Sequence, residues 1–184
     1  GGFGKVFSAR NNTGDYAAKR FEDPAEAAKE VKILQAVGKH DSIACLCGHC
    51  GHDEDGRGWL FVEIATGGEL FDLLIDSGSL SEGRVLSIFI PLVDALVHCH
   101  SLGVVHRDIK LENVMLSASD PNAVKLIDFG LGCIIPRHPD GTMESRLFRD
   151  NPGSKSYKAV EMLDWQGRFS SGGQNFPRWS SCLG

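Results

Sequence analysis

Three short apolar segments alternate with charged clusters between residues 104 and 132, and this alternation constrains the fold more than any other part of the sequence. The apolar segments VVH, VML and VKLI predict small strands. The charged clusters HRDIKLEN and DFG then lie on the loops between these strands. Because loops held by a rigid base often carry functional side chains, we expect a functional site here.

The first third of the sequence predicts paired strands and one helix. The segments GKVFSAR and YAAKRF flank the turn NNTGD, which is typical of a β-hairpin. Asp23 is placed to cap the helix that follows, Pro24 suits its first position, and Gly38 suits its end. A second hairpin is predicted from IACLC and GWLFVEI, so the chain begins with a β-rich half.

A Gly-Gly break in TGGELFDLLIDSG is the predicted boundary between this half and a helical one. A long helix follows Ser81, and its apolar positions keep helical spacing: Val85, Ile88, Phe89, Leu92, Val93, Leu96, Val97 and His100. The most apolar run, residues 85–97, is shorter than the roughly 18 residues that span a bilayer. We therefore expect a buried helix, with a kink or a lost backbone hydrogen bond at Pro91.

Composition excludes some classes of partner. The net charge is −5, from 19 Lys and Arg against 24 Asp and Glu in 184 residues. This balance argues against non-specific nucleic-acid binding and against docking on a membrane. No secretory signal pattern opens the chain, so a cytoplasmic or nuclear location is expected. Residues 164–184 are rich in Gly and Ser with weak periodicity, and no regular structure is predicted there.

The segment CLCGHCGH supports two hypotheses, because it brings five soft metal ligands close together: Cys45, Cys47, His49, Cys50 and His52. One hypothesis is a zinc-binding interaction module. The other is a strand of the second hairpin that runs into a Gly-rich turn, since ligands so close together cannot easily close a tetrahedron. The hairpin is favoured, and the six cysteines, without a secretory context, are expected to be free thiols.

The order of three motifs carries a resemblance to a known family. AAKRF contains Lys19, VVHRDIKLENVML contains H-R-D-x-K-x-x-N, and KLIDFGLG contains D-F-G. Together they resemble the eukaryotic protein kinase domain of the serine/threonine type, over almost all of residues 1–163. GGFGKVF is similar to the later part of that family's glycine-rich loop, G-x-G-x-x-G-x-V.

The resemblance implies an α+β fold of two lobes, with a β-rich N-lobe over residues 1–65 and an incomplete helical C-lobe over residues 66–163. Residues 164–184 would be an irregular tail and a candidate for an out-of-frame segment. The family's A-P-E is AVE here, and its D-x-W-S-x-G has only a faint echo in PRWSSCLG. We therefore expect a kinase domain that is truncated at both ends.

Catalytic and metal-binding roles follow from the resemblance. The expected catalytic residues are Asp108, Lys110, Lys19 and Glu30, and the expected metal ligands are Asn113 and Asp128. Asp108 would accept the proton of the incoming hydroxyl, and Lys110 would balance charge on the transferring group. Lys19 would bind the α- and β-phosphates of ATP, with Glu30 to orient it. The two metal ligands would hold Mg²⁺, because phosphoryl transfer depends on neutralising phosphate charge.

The nucleotide site is also assigned by resemblance. The residues expected to contact ATP are Gly1, Gly2, Phe3, Gly4, Val6, Ala17, Lys19, Val62, Glu63, Ala65, Glu69 and Met115. Val62 would be the gatekeeper residue behind the adenine. A stack between the first helix and the catalytic loop would comprise Leu34, His106 and Phe129.

Substrate and regulation are implied more loosely. Glu69 and Glu112 resemble residues of the calcium/calmodulin-dependent and cyclic-nucleotide-dependent groups, and imply a protein substrate with basic residues upstream of its Ser or Thr. Asp150 occupies the usual phosphosite position, either as a permanent charge or as a merely solvated side chain. Alternative phosphosites are Thr142 and Ser145, while Ser154 would contact the catalytic aspartate and lysine.

Three functional hypotheses follow from these residues. The first is an ATP-dependent serine/threonine protein kinase that transfers the γ-phosphoryl group of Mg-ATP to a protein hydroxyl. The second is a catalytically incompetent kinase fragment or a pseudokinase-like scaffold. The third, the zinc-binding module, is the least favoured.

Overall fold

The computed structural model describes residues 4–120, 122–144 and 152–158. Its first part is a four-stranded antiparallel sheet in the order β1-β2-β4-β3. The strands are β1 (Lys5–Asn11), β2 (Gly14–Phe21), β3 (Leu46–Cys50) and β4 (Gly58–Glu63). Both predicted hairpins are present, since β1 pairs with β2 and β3 pairs with β4.

Helix α1 (Pro24–Val37) connects the two hairpins, and its ends are those that the sequence predicts. The Asp23 carboxylate accepts a hydrogen bond from the Ala25 amide at 2.8 Å, which satisfies one of the free N–H groups of the first turn. Gly38 follows the helix with a φ of 68°, a conformation that favours glycine. Because α1 lies against β2 and β4, the side chain of Glu30 is buried.

The second part of the chain forms helices and short strands. Helix α2 (Leu70–Ser77) follows the Gly-Gly break, and α3 (Glu82–Ser101) is the predicted long helix. The strands are β5 (Val104–Val105), β6 (Val114–Leu116), β7 (Val124–Leu126) and β8 (Cys133–Ile134). β5 pairs with β8, and β6 pairs with β7, so the segments VVH, VML and VKLI do form small strands.

Strand β3 begins at Leu46, whereas the segment IACLC predicted a strand from Ile43. Ile43 is fully buried and lies beside β7 instead, where the Ala44 amide donates to the Leu126 carbonyl at 3.0 Å. The backbone groups of this segment are therefore committed to β7, which the local sequence does not indicate. A register shift follows between Leu46 and Gly48, and Cys47 is the extra residue of this β-bulge.

Helix α3 is only partly buried, which corrects the expectation of a buried helix. Its buried side chains belong to Ile88, Leu92, Ala95 and Cys99, and the helix lies against β5 and β7. Other apolar side chains are exposed and form a stripe, the α3 apolar face: Val85, Leu86, Phe89, Ile90, Val93 and Val97. Periodicity could not separate the two sets, because apolar residues occupy both sides of the helix.

The length of α3 also differs from the apolar run read in the sequence. The helix continues through Pro91 and has 20 residues, so by length and composition alone it could cross a membrane. In the structure, 22% of the most apolar 18-residue stretch of this helix is buried. Near the end of the helix, the Nε2–H of His98 donates a hydrogen bond to the Val37 carbonyl at 2.9 Å.

One hydrophobic core joins the two parts. It contains Leu60 of β4, Leu34 of α1, Leu126 of β7 and Phe129, each at most 4% exposed. The core thereby fixes the sheet against the loops that follow β5 and β7. A β-rich part followed by helices agrees with the predicted α+β fold, and those loops face the end of the sheet that carries Lys19.

Candidate active site

A cleft of about 530 Å³ lies between the sheet and the loops after β5 and β7, within the usual size of a small-molecule site. The sheet supplies its upper wall from β1, β2 and β4. The lower wall comes from β6 and from the loops around Asn113 and Asp128. Residues more than 100 positions apart in sequence therefore face one another, as Lys19 and Asp128 do.

Lys19 of β2 is the central cation of the cleft. Its Nζ lies 2.8 Å from Glu30 Oε2 and 2.6 Å from Asp128 Oδ1, and its side chain is 7% exposed. Burial by itself lowers the pKa of Lys19, but the charges of Glu30 and Asp128 outweigh it and raise the pKa above the ordinary value. Burial raises the pKa of Glu30, and the ammonium of Lys19 offsets part of that shift.

Asp128 is held in a conformation that is uncommon for a residue other than glycine. Its φ is 63°, and its Oδ1 accepts a hydrogen bond from the Gly130 amide at 3.2 Å. The next residue, Phe129, is buried with its ring centroid 4.6 Å from that of His106 in an edge-to-face contact. Buried Phe129 thus fixes the loop that turns the Asp128 carboxylate toward Lys19.

Asp108 contacts the lining residues Lys110 and Asn113 without lining the cleft itself, and it lies in a dense set of hydrogen bonds. Its Oδ1 accepts from the backbone amide of Ser154 at 2.8 Å and from the Ser154 hydroxyl at 2.9 Å. Lys110 Nζ lies 3.0 Å from Asp108 Oδ2 and donates to the Ser154 hydroxyl at 3.2 Å. Burial tends to raise the pKa of Asp108, but the bonds from Lys110 and Ser154 lower it below the ordinary value.

Asn113 connects Asp108 to the cleft. Its side-chain nitrogen donates to the Asp108 backbone carbonyl at 2.8 Å and to Asp108 Oδ2 at 3.2 Å. With the nitrogen committed to Asp108, its carbonyl oxygen is the group that can bind a cation. Both Asn113 and Asp128 line the cleft, and an amide oxygen with a carboxylate is a donor set that suits Mg²⁺ bound to phosphates.

Among the residues that the structure describes, no three His, Cys, Asp or Glu side chains converge on a metal position. Five of the six cysteines are described, and four of these are free thiols: Cys45, Cys47, Cys50 and Cys99. The segment CLCGHCGH therefore contributes to a β-hairpin, as favoured, and its described geometry does not support the zinc hypothesis. A Mg²⁺ site of one carboxylate and one amide relies on phosphate and water oxygens for its remaining ligands.

Most residues predicted to contact the nucleotide do line the cleft: Gly4, Val6, Ala17, Lys19, Val62, Glu63, Ala65, Glu69 and Met115. Val6 is nevertheless 63% exposed, because β1 is an edge strand at the mouth. Gly4 lies so close to the Arg20 carbonyl of β2 that a side chain there would collide with it. Gly1, Gly2 and Phe3 lie outside the described residues.

Several residues that line the cleft were not predicted from the sequence. Ser8 and Leu60 line the cleft. The alternation of side chains along a strand could have predicted both, since Ser8 shares a face of β1 with Val6 and Leu60 shares a face of β4 with Val62. Ala44, Ile64 and Ile127 also line it, without such a signal. An ion pair between Lys125 Nζ and the Glu63 carboxylate, at 2.9 Å, joins β7 to the end of β4 and could not be inferred from residues 62 positions apart.

Residues assigned to regulation are only partly described. Asp150 and Ser145 lie outside the described residues. Thr142 is exposed on a turn, where its hydroxyl donates to Asp140 at 2.6 Å. Arg107, beside Asp108, has a φ of 68° and donates through Nε to the Leu131 carbonyl at 2.7 Å.

The sequence of this chain is similar to those of known proteins. A family model described as the protein kinase domain matches residues 1–181. Calcium-dependent protein kinase 29 of Arabidopsis thaliana is 34% identical over 174 residues, which cover 89% of this chain and 31% of that protein. CBL-interacting serine/threonine-protein kinase 24 of the same plant is 35% identical over 177 residues, covering 91% of this chain and 37% of that protein. The chain thus spans about a third of the length of these relatives.

Proposed function

The chain belongs to the protein kinase family, and from that premise we propose that it transfers the γ-phosphoryl group of ATP to a serine or threonine hydroxyl of a protein. One observation carries the proposal. A cleft of nucleotide size brings the Lys19, Glu30 and Asp128 cluster together with Lys110 and Asn113, which both contact Asp108. The first cluster suits phosphate and metal binding, and the second suits a hydroxyl acceptor.

Lys19 is the proposed phosphate-binding cation. Its raised pKa keeps it charged at neutral pH, and its buried position gives its charge more effect than it would have in water. Glu30 fixes the ammonium by a bond of 2.8 Å from a helix rather than from a loop. The phosphates of ATP would then meet a pre-oriented cation without a further cost of ordering it.

Asp108 is the proposed acceptor of the substrate hydroxyl's hydrogen bond. Its lowered pKa keeps it ionised, so it aligns the hydroxyl as a negatively charged acceptor more than it pulls the proton away early. Lys110 lies 3.0 Å from it and can move toward the negative charge of the transferring group. In the structure, the Ser154 hydroxyl donates a hydrogen bond to Asp108 Oδ1. The hydroxyl of a substrate would either replace this hydrogen bond or donate to the same oxygen beside it.

The residues present fit Mg²⁺, and we propose Asp128 and Asn113 as its protein ligands. When bound, Mg²⁺ would neutralise negative charge on the phosphates. Asp128 Oδ1 is 2.6 Å from Lys19, so its second carboxylate oxygen is the one more readily offered to the cation. This assignment predicts that Asp128 is needed for metal-dependent nucleotide binding, whereas Lys19 also contributes to binding without metal.

The proposed protein substrate has basic residues upstream of its target hydroxyl. Glu69 and Glu112 both line the cleft, and carboxylates there attract cationic side chains. The Tyr157 hydroxyl donates to Glu112 Oε2 at 3.2 Å, which holds this carboxylate near the acceptor site. A peptide array that shows no preference for Arg upstream, or the same preference in Glu112→Gln, would remove this part of the proposal.

The central experiment measures nucleotide binding and phosphoryl transfer on the same preparation. Asp108→Asn should leave binding of a fluorescent ATP analogue unchanged and reduce phosphorylation by about 100-fold or more. Lys19→Met should weaken nucleotide binding, and Asp128→Asn should abolish its dependence on Mg²⁺. Asp76→Asn, on the exposed side of α2, is the matched control and should change neither.

The alternative of a catalytically incompetent fragment or scaffold has its own signature in this experiment. Wild-type phosphorylation that is indistinguishable from that of Asp108→Asn, together with retained nucleotide binding, would establish the scaffold and contradict the kinase. Absence of nucleotide binding by a folded wild-type chain would contradict both the metal and the phosphate assignments. Far-UV circular dichroism of each variant separates these outcomes from loss of the fold.

A further inference from the structure

Two cysteines lie side by side where β3 approaches the nucleotide cleft. Cys45 directly precedes β3, and Cys47 is the extra residue of its β-bulge. The Cys47 thiol lies 3.6 Å from the Cys45 carbonyl oxygen, Cys47 is exposed, and Cys45 is partly exposed. Burial and the neighbouring Cys45 thiol raise the pKa of Cys47 to about 11, so Cys47 is protonated at neutral pH and Cys45 is the thiol that would attack a peroxide. The pair is therefore reduced and accessible in this structure.

Cys45 is also bonded to the end of β4, where the nucleotide cleft begins. The Glu63 amide donates to the Cys45 carbonyl at 3.0 Å, and Glu63, Ile64 and Ala65 all line the cleft. Ala44, the residue before Cys45, lines it too. A change in the backbone at Cys45 is thus passed to the cleft through one hydrogen bond and one peptide bond.

We propose that Cys45 and Cys47 form a reversible redox site, at which a peroxide closes an intrachain disulfide that loosens the end of β4. Two S–H bonds break and one S–S bond forms, while hydrogen peroxide accepts the two electrons and both protons and leaves as two molecules of water. The reaction changes no residue other than these two cysteines. The effect on nucleotide binding rests on the function proposed above, whereas formation of the disulfide does not.

Chain geometry explains why the disulfide would change the backbone. Residues two apart on an extended strand have Cα atoms separated by up to about 7 Å, which is the upper limit for a disulfide. Closing the Cys45–Cys47 bond must therefore shorten the chain here and deepen the bulge that already exists at Cys47. A disulfide formed under such strain is easily reduced, so the site can return to the thiol state.

The deeper bulge would turn the Cys45 carbonyl away from the Glu63 amide. Loss of one backbone hydrogen bond changes an equilibrium by about threefold to tenfold. We expect nucleotide affinity to fall by that factor on oxidation, because the segment 63–65 would lose its fixed position beside the cleft. Reduction with dithiothreitol should restore the affinity.

Mass spectrometry identifies the bond without any reference to nucleotide. Trypsin releases residues 40–57 as one peptide that contains Cys45, Cys47 and Cys50. After treatment with hydrogen peroxide, this peptide should lose about 2 Da, as a disulfide requires. The loss should persist in Cys50→Ser and vanish in Cys45→Ser and in Cys47→Ser. Loss of mass in Cys45→Ser that vanishes in Cys50→Ser would instead identify a Cys47–Cys50 bond and overturn the proposal.

Hydrogen exchange tests the change at β4 on the same samples. A peptide that covers β4 and residues 63–65 should exchange faster after oxidation of the wild type and of Cys50→Ser, but not of Cys47→Ser. Unchanged exchange in a fully oxidised sample would overturn the coupling between the disulfide and β4. If the reduced chain binds no fluorescent ATP analogue, the proposed function fails, while the mass and exchange data still decide the redox site.

Discussion

At the scale of single residues, Lys19 is unusual in bonding two carboxylates from different parts of the chain. Glu30 comes from α1, and Asp128 comes from the loop after β7. The ammonium group of Lys19 therefore connects β2 of the sheet to α1 and to the loop after β7. Removing one partner of a buried ion pair leaves a charge without its compensation, which costs more than the pair contributed.

Glu30→Gln should therefore lower both stability and nucleotide binding. Glutamine keeps the shape and a hydrogen-bond acceptor, but it loses the charge, so we expect a loss of about 2 kcal/mol in the free energy of unfolding. Denaturant unfolding measures it. Glu26→Gln, on the exposed side of the same helix, should change stability by less than about 0.5 kcal/mol. Equal effects of the two changes would contradict the structural importance of the Lys19–Glu30 bond.

His106 is a buried residue whose protonation state is set by its two hydrogen bonds. Its Nε2–H donates to the Ile127 carbonyl at 2.9 Å, and its Nδ1 accepts from the Asp108 amide at 3.2 Å. A second proton on Nδ1 would face the N–H of Asp108. Burial also lowers the pKa of His106 below its ordinary value of 6.5.

The lowered pKa of His106 predicts how stability depends on pH. The unfolded chain takes up a proton near pH 6.5 while the folded chain does not, so stability is complete above that pH and falls as the pH drops toward the folded pKa. Melting temperature should thus decrease between about pH 7 and about pH 5, before most carboxylates titrate.

His106→Phe provides the comparison for this pH dependence. The ring contact with Phe129 remains available, but no proton can bind, so the melting temperature should change less over the same pH range. His100, whose pKa burial also lowers, adds to the slope in both proteins and cancels in the comparison. An identical slope in the wild type and the variant would show that His106 titrates normally.

At the scale of elements, the packing of α1 on β4 depends on a residue without a side chain. A Cβ on Gly58 would lie 2.6 Å from the Ala27 Cβ and 2.9 Å from the Pro24 Cα, both closer than atoms can approach. Gly58 is also paired with Phe21 of β2, so the strand cannot move away freely. The distance between α1 and the sheet, and with it the position of Glu30, is set at this contact.

Gly58→Ala should lower the free energy of unfolding by about 1–3 kcal/mol, the usual cost of overpacking. Gly48→Ala is the control within the same sheet, because its Cβ would have only the Phe61 ring nearby, at 3.9 Å. We expect the control to lose less stability than Gly58→Ala in thermal unfolding. The reverse order would mean that α1 and β4 can separate at little cost.

At the scale of the whole molecule, the α3 apolar face is the largest exposed apolar stripe among the described helices. Phe89, Ile90 and Val97 are 56%, 62% and 59% exposed. They lie along one side of α3, whose other side is in the core. Contiguous apolar surface of this kind reduces solubility unless something covers it.

We expect the isolated chain to bind an apolar fluorescent dye and to have limited solubility. Replacing Phe89 and Ile90 together by Lys should reduce dye fluorescence and raise the concentration at which the chain precipitates. Asp76→Lys on α2 adds positive charge without removing apolar surface, and it should leave the dye signal unchanged. Equal dye binding in all three proteins would place the exposed apolar surface elsewhere.

Local signals in the sequence predicted much of the fold. The turn NNTGD, the cap at Asp23 and the glycine at Gly38 each act within a few residues, and the structure has all three where they were expected. The predicted start of β3 at Ile43 was wrong, because Ile43 and Ala44 pair with β7, whose residues lie about eighty positions away in the sequence. A competition between two distant partners leaves no trace in a local pattern.

The candidate site was predictable to the extent that its residues fall in ordered motifs. Lys19, Asp108, Asn113 and Asp128 were named from such motifs, and the structure brings them to one cleft or into contact with it. Their roles stay predictions. The Lys125–Glu63 ion pair was not predicted, because a single Lys and a single Glu far apart in sequence cannot be distinguished from solvent-exposed surface charges.

The sequence alone determined the family, the order of the elements and the identity of the charged residues, because short motifs and caps depend on neighbours within one turn or strand. Only the tertiary structure decided which side of α3 is buried, where β3 begins, and that Lys19 bonds both Glu30 and Asp128. Those features depend on which surfaces meet when the core forms. Burial and pairing across the core belong to the whole chain, and no segment encodes them by itself.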